Sequence, residues 1–256
     1  MLAMQRIVIA ASLALLLTAC INTGDRRQPI PTQTFAGAAP SKILVVVLPG
    51  RWDDVQDMAQ AGMPEAIRGA WPEADVMLTG AAMAYYTDGG LAQRLHEQII
   101  VPAKERGYRE IWMVGASLGG MGTLLYDRQY PGELQGLVLL APYLGDRGIL
   151  KAISKAGGIA NWQPGPVPQA IDKNNFQNEI WRYLQTWQDQ PERAQRVWLA
   201  YGDQDRLRNA VPLIAPLLLE QQVLERPGGH AWDVWVPAAA EVFAAVAERR
   251  VKDSGT

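Results

Sequence analysis

From about residue 42 onward the chain alternates short apolar runs with longer stretches in which apolar positions return every three or four residues. The short runs are Ile43 to Leu48, Asp75 to Leu78, Glu110 to Val114, Leu137 to Leu140, Val197 to Tyr201 and Val223 to Glu225. Bounded by glycine or proline, such runs fit strands buried on both faces, as in a parallel sheet. Between them, 91–106, 121–130, 207–221 and 238–250 read as amphipathic helices. The alternation predicts an α/β fold: a mostly parallel sheet of about six strands, helices on both faces, and ligands at the carboxyl ends of the strands. One stretch breaks the rhythm. Between the strand ending near Ala141 and the one starting at Val197 lie Gly157-Gly158, Pro164, Pro166 and Pro168, then Phe176, Trp181, Tyr183 and Trp187. About 145–193 therefore reads as an insertion. Its aromatics suit a pocket lining, and the spacing of Ile180, Trp181, Leu184 and Trp187 equally suits a helix packed on the body; both readings stay open.

The first forty residues follow neither pattern. Arg6 supplies a positive start, and Ile7 to Leu17 form an apolar run of secretory length, too short to span a bilayer comfortably. It ends in Leu17-Thr18-Ala19-Cys20, which resembles the bacterial lipoprotein box, where small residues precede the cysteine that takes the lipid. The resemblance implies a signal peptide over 1–19, a lipidated Cys20 as first mature residue, and a membrane anchor. Cys20 is the only cysteine, which agrees, because an acylated thiol cannot mispair in an oxidising compartment. Ile21 in second place, rather than aspartate, implies the outer membrane of a bacterial cell envelope, on its periplasmic face. Residues 20–40 read as a tether and 41–256 as one domain.

A chain of 256 residues, 48% hydrophobic and 20% charged, can bury one sizeable core. A formal net charge of -2, with no basic run, gives no general attraction to phosphate backbones, so nucleic acid is not an expected partner.

The strongest chemical signal is Gly115-Ala116-Ser117-Leu118-Gly119, placed between an apolar strand and a helix. It reads as a nucleophile elbow. A serine hydroxyl needs a base, and presenting it to base and substrate together requires a sharp strand-to-helix turn flanked by residues without side chains. The other reading is a plain glycine-rich turn. The chain has two histidines. His96, inside Leu91 to Gln98, is expected to be a solvated helix residue, whereas His230, in Pro227-Gly228-Gly229-His230-Ala231-Trp232, follows the last strand and is the expected base. A carboxylate must orient that imidazole. Tyr201-Gly202-Asp203-Gln204-Asp205-Arg206 offers two, Asp203 and Asp205.

With nucleophile, acid and histidine in this order, residues 42 to 250 resemble an α/β-hydrolase. The resemblance implies a Ser117, Asp205, His230 triad, since the family acid stands three residues after the strand-end glycine; Asp203 is then left to form an Asx turn. Oxyanion donors would be the backbone amides of Leu118 and of Arg51 in Leu48-Pro49-Gly50-Arg51-Trp52. Trp52 would face the acyl pocket or cover the core, and Asp53-Asp54 would cap the next helix. The insertion falls after the sixth family strand, where lids sit. The family's two leading antiparallel strands find no room in the tether, so a trimmed sheet is expected. Gly228 to Trp232 also resembles a subgroup of small bacterial esterases and lipoprotein-like hydrolases.

The function implied is hydrolysis of carboxylic esters through an acyl-enzyme, on a small-molecule ester or acyl substrate. No cofactor is implied, as no dinucleotide fingerprint is present, and no metal, as two histidines and one lipidated cysteine cannot build a common zinc site. Thioesterase, amidase or acyltransferase action by the same triad is the alternative, and an inert binding or scaffold lipoprotein is another.

Overall fold

A computed structural model describes residues 24–254 apart from Ala39 and Asp88. The expected signal peptide 1–19 and lipidation site Cys20 lie outside the described residues. Each of the six apolar runs is a strand, and a seventh precedes them: β1 (Thr32–Phe35), β2 (Ile43–Leu48), β3 (Asp75–Thr79), β4 (Glu110–Ala116), β5 (Gly136–Leu140), β6 (Val197–Gly202) and β7 (Val223–Arg226). They form one sheet in the order β1-β3-β2-β4-β5-β6-β7. All neighbours are parallel except β1 with β3.

The central strands are apolar throughout because both faces are covered. Residues alternate between two cores: Leu44, Val46, Met113 and Leu139 enter one, and Val45, Val47, Val114 and Val138 the other. The second core is closed by α1 (Val55–Gln60) and α2 (Met63–Ala70), through Met58 and Ile67, and by a long carboxyl-terminal helix through Ala238, Val242 and Phe243. The first core is closed by α3 (91–105), α4 (Leu118–Gln129), α5 (Arg147–Lys155) and α6 (Phe176–Gln185), through Leu95, Leu124, Ile153 and Trp181. The long helix is α7 (Trp232–Ser254). Asp54 caps α1 as expected, in a reciprocal box with Asp57.

Three sequence expectations are corrected. The tether 20–40 contains β1, whose Thr32 to Phe35 pair with Thr79 to Val76, so the sheet has seven strands rather than about six and the domain begins before residue 41. Isolated from any apolar run, four polar or half-buried residues carry no strand pattern; they form a strand because the β3 edge offers them partners. The segment 207–221 is not one helix but short turns, Arg208–Ala210, Val211–Ile214, Ala215–Leu217 and Glu220–Gln222. Pro212 and Pro216 each lack the amide that continuing the helix requires, and Leu218 is extended. Inside α3, His96–Ile100 is a π turn. Pro102, two residues on, has no amide to return to the carbonyl four residues earlier, and the Val101 amide reaches back to His96 instead.

Within the insertion, Trp181, Tyr183 and Trp187 are buried, and Trp181 donates from Nε1 to the Leu144 carbonyl at 2.6 Å. They pack on the body, whereas Phe176 faces a cavity. Both sequence readings of these aromatics therefore hold, for different residues.

Candidate active site

Pairing of Leu48 with Gly115 and of Ala116 with Leu140 brings the carboxyl ends of β2, β4 and β5 level. Ser117 stands at the end of β4 with φ 53 and ψ -110, the backbone strain of a tight strand-to-helix turn. The flanking glycines are steric necessities. A Cβ on Gly115 would lie 2.2 Å from the Gly119 carbonyl oxygen, and one on Gly119 would lie 2.5 Å from that of Leu48. The turn is pinned by backbone: Ser117 donates to Leu140 at 2.8 Å, and Tyr143 donates to the Ser117 carbonyl at 2.8 Å. Ala141, which precedes this support, also takes a positive φ of 44. No sequence signal marked Ala141 to Tyr143, because the support comes from main chain, which any residue supplies.

His230 comes from the turn between β7 and α7. Its Nε2 lies 2.8 Å from the Ser117 Oγ, and its Nδ1 lies 2.8 Å and 3.0 Å from the two Asp205 carboxylate oxygens. A carboxylate only accepts, so Nδ1 carries the proton and donates to Asp205, which leaves the Nε2 lone pair to accept from the Ser117 hydroxyl. Asp205 is 2% exposed and takes a further bond, at 2.7 Å, from the Leu207 amide. Trp235 stands edge-on to the imidazole, with ring centroids 4.7 Å apart, and fixes its other side. The three residues singled out from sequence are thus one hydrogen-bonded chain.

Asp203 plays a different part from the expected Asx turn. Its Oδ1 accepts from the Gly228 amide at 2.8 Å, while its own amide donates to Arg226. It ties the acid loop to the histidine loop. A Cβ on Gly202 would lie 2.2 Å from the Gly228 carbonyl oxygen, so these two loops meet backbone to backbone. His96 is not a solvated surface residue either. Its Nδ1 contacts Glu133 at 3.0 Å and its ring stacks on Tyr130 at 4.0 Å. Glu133, beyond the reach of any local pattern, is what draws it in.

The loop after β2 lies against the serine: a Cβ on Gly50 would be 3.9 Å from the Ser117 Cβ. Asp53 folds back under this loop, 2.3 Å from the same position, and burial pushes its carboxyl above the usual range. Trp52 is half exposed, at 51%, with the Arg51 guanidinium 4.5 Å over its ring, so it does not cover the core. Both residues line a cavity of about 930 Å³ that also contains Ser117 and Leu118. Tyr86, not anticipated from sequence, lines it as well and donates to the Leu118 carbonyl at 3.3 Å. Burial raises its phenol well above the ordinary value.

This arrangement of sheet, elbow and facing loops is that of the α/β-hydrolase fold, and solved structures agree. Est1E from Butyrivibrio proteoclasticus superposes with a TM-score of 0.63 at 14% identity, covering 87% of this chain and 95% of that one. FphF, a fluorophosphonate-binding serine hydrolase of Staphylococcus aureus, gives 0.58 at 12% identity, covering 84% and 98%. The monoacylglycerol lipase of Paleococcus ferrophilus gives 0.54 at 16% identity, covering 85% and 99%. No protein-family model matches the sequence, and no curated protein matches it. The chain has the α/β-hydrolase fold.

Proposed function

We propose that this protein is a serine hydrolase that cleaves carboxylic esters through an acyl-enzyme. The observation that carries the reading is the unbroken hydrogen-bonded chain from Asp205 through His230 to Ser117, with the serine held on a strained elbow at the edge of a cavity. In the first half-reaction the Ser117 Oγ attacks the ester carbonyl while its proton passes to His230 Nε2. The tetrahedral oxyanion collapses, the carbon–oxygen bond to the alcohol breaks, and the imidazolium returns the proton to the leaving alcohol. Water then repeats the sequence on the acyl-enzyme, which releases the acid and restores the serine. Asp205 holds the imidazole in the required tautomer and stabilises its cation. The amides of Leu118 and Arg51 are the oxyanion donors in this reading; removing one such donor typically costs about 10²- to 10³-fold in kcat.

The names of the structural neighbours, among them an esterase and a monoacylglycerol lipase, support esters over amides. Hydrolysis of p-nitrophenyl butyrate by the purified protein tests the proposal. We expect turnover that Ser117→Ala and His230→Ala each reduce by at least about 10³-fold. Turnover unchanged in Ser117→Ala contradicts it.

We also propose anchoring through a lipidated Cys20 to the outer membrane, on the periplasmic face. The support is the Leu17 to Cys20 sequence and the absence of any second cysteine. Acyl chains contribute about 0.8 kcal/mol per buried methylene, so more than one chain gives durable attachment. Radiolabelled palmitate incorporated by the full chain and lost in Cys20→Ser is the expected result. Equal incorporation by the variant contradicts lipidation at this residue.

A further inference from the structure

The cavity beside Ser117 extends along α4. Leu118, Met121, Leu125 and Arg128 all line it, and their spacing puts them on one face of that helix. The eleven residue steps from Ser117 to Arg128 correspond to about 16 Å of helix axis. The first turns of this wall are apolar, and Met83, Tyr86 and Phe176 add apolar lining to the cavity. At the far end of this face stands the cationic Arg128, and Lys173 is a further cation of the lining. Arg51 and Arg206 line the cavity too, and among the described residues the one acidic residue in its wall is Asp172. The Asp172 carboxylate is already engaged, accepting from the Asn174 amide at 2.8 Å and the Asn175 amide at 3.2 Å.

Arg128 is only partly neutralised. Its Nη2 donates to Glu179 at 2.8 Å, but the other Glu179 oxygen accepts from Arg182 Nε at 2.9 Å. One buried carboxylate therefore serves two guanidiniums, and this trio keeps a net positive charge. Arg182 spends its Nη2 on the carbonyls of Gly165 and Pro166. Arg128 makes no second hydrogen bond among the described residues, and it lines the cavity. Lys173 forms no ion pair among the described residues.

No residue of the turn 227–232 lines this cavity. The leaving alcohol must take its proton from His230, so it departs on the His230 side. The cavity is left for the acyl half.

We propose that the acyl group carries a terminal carboxylate: the substrates are esters of ω-carboxy fatty acids, with Ser117 at the ester end and Arg128, assisted by Lys173, at the free acid. The assignment rests on the serine-hydrolase reading above. An arginine side chain reaches back about 6 Å toward the helix start, leaving about 10 Å, the length of an acyl chain of about eight carbons. A guanidinium with free donors in an apolar channel recognises such a carboxylate by charge-assisted hydrogen bonds.

The test compares kcat/KM of the wild-type protein for mono-p-nitrophenyl suberate and for p-nitrophenyl octanoate. Mono-p-nitrophenyl succinate against the butyrate serves as the short control. We expect the suberate to be preferred by at least about tenfold and the succinate to show no comparable gain, because a short acid cannot reach Arg128. The double variant Arg128→Gln/Glu179→Gln removes both charges together, so no buried carboxylate is left with one partner fewer. With Lys173→Gln added, it is expected to bring the suberate ratio close to one.

Octanoate cleaved as well as suberate overturns the proposal and leaves the hydrolase reading standing. A succinate preference equal to that for suberate overturns the far-end placement. If no ester is cleaved and an uncharged fluorophosphonate does not label Ser117, the hydrolase reading fails and the proposal with it.

Discussion

At the scale of single residues, the site is built from backbone constraints that leave few choices. Gly115 and Gly119 have neighbours within 2.5 Å of where a Cβ would stand, so the elbow requires glycine at both positions. That part was legible from the five-residue motif. So was the choice of Asp205 over Asp203, which the structure separates cleanly: Asp205 reaches His230, and Asp203 reaches Gly228. The role of Asp205 can be measured. Asp205→Asn keeps the shape but offers the imidazole a donor as readily as an acceptor, favouring the wrong tautomer, and is expected to lower kcat by about 10⁴-fold with KM little changed. A loss below tenfold would show that Asp205 does not orient the base. Residues whose work depends on distant partners were not legible. His96 reads as a surface helix position because Glu133, which engages it, is far along the chain. Arg128 carries no local signal either, since its sharing of Glu179 with Arg182 depends on a residue 51 positions away.

Elements show the same division between local pattern and tertiary partner. Strands β2 to β7 were legible because burial on both faces makes them apolar without alternation. β1 was not, since its burial pattern is almost wholly exposed and only the β3 edge makes it a strand. The turns over 208–222 defeated a helical pattern because prolines interrupt it. The join between α3 and the segment after α4 can be tested by pH. Glu133 accepts from Lys104 at 2.8 Å and from Tyr126 at 2.5 Å, besides its contact with His96. Burial alone would raise its carboxyl, but the Lys104 and Tyr126 bonds and the nearby cations outweigh burial and hold it below the usual range. A carboxyl with a lowered folded pKa stabilises the fold above the ordinary carboxylate range, and that contribution is lost as pH falls through the lowered value. Glu133→Gln is therefore expected to cost about 2 kcal/mol in urea unfolding at neutral pH. The gap to wild type should close as pH falls below the ordinary carboxylate range and through the lowered value. A gap independent of pH would show that the carboxylate charge contributes nothing.

For the whole molecule, the parallel sheet places the loops that follow its strands at one end, and these bring together residues that stand 113 positions apart in the case of Ser117 and His230. Fold class and the meeting of Ser117, His230 and Asp205 were legible together, because both follow from a strand that must end in a turn sharp enough to present Ser117. The course of the cavity was not, because it depends on how α4, the loop after β2 and the insertion face one another. Among the described residues no helix is long and apolar enough to cross a membrane. The central claim is an activated serine at position 117. The most direct measurement is reaction of the purified protein with a fluorophosphonate probe, followed by mass mapping of the adduct, in wild type and His230→Ala. The account predicts one adduct, on Ser117, formed rapidly in wild type and at least about 10³-fold more slowly without His230. Folded wild-type protein that gains no adduct, or gains one elsewhere, would contradict it.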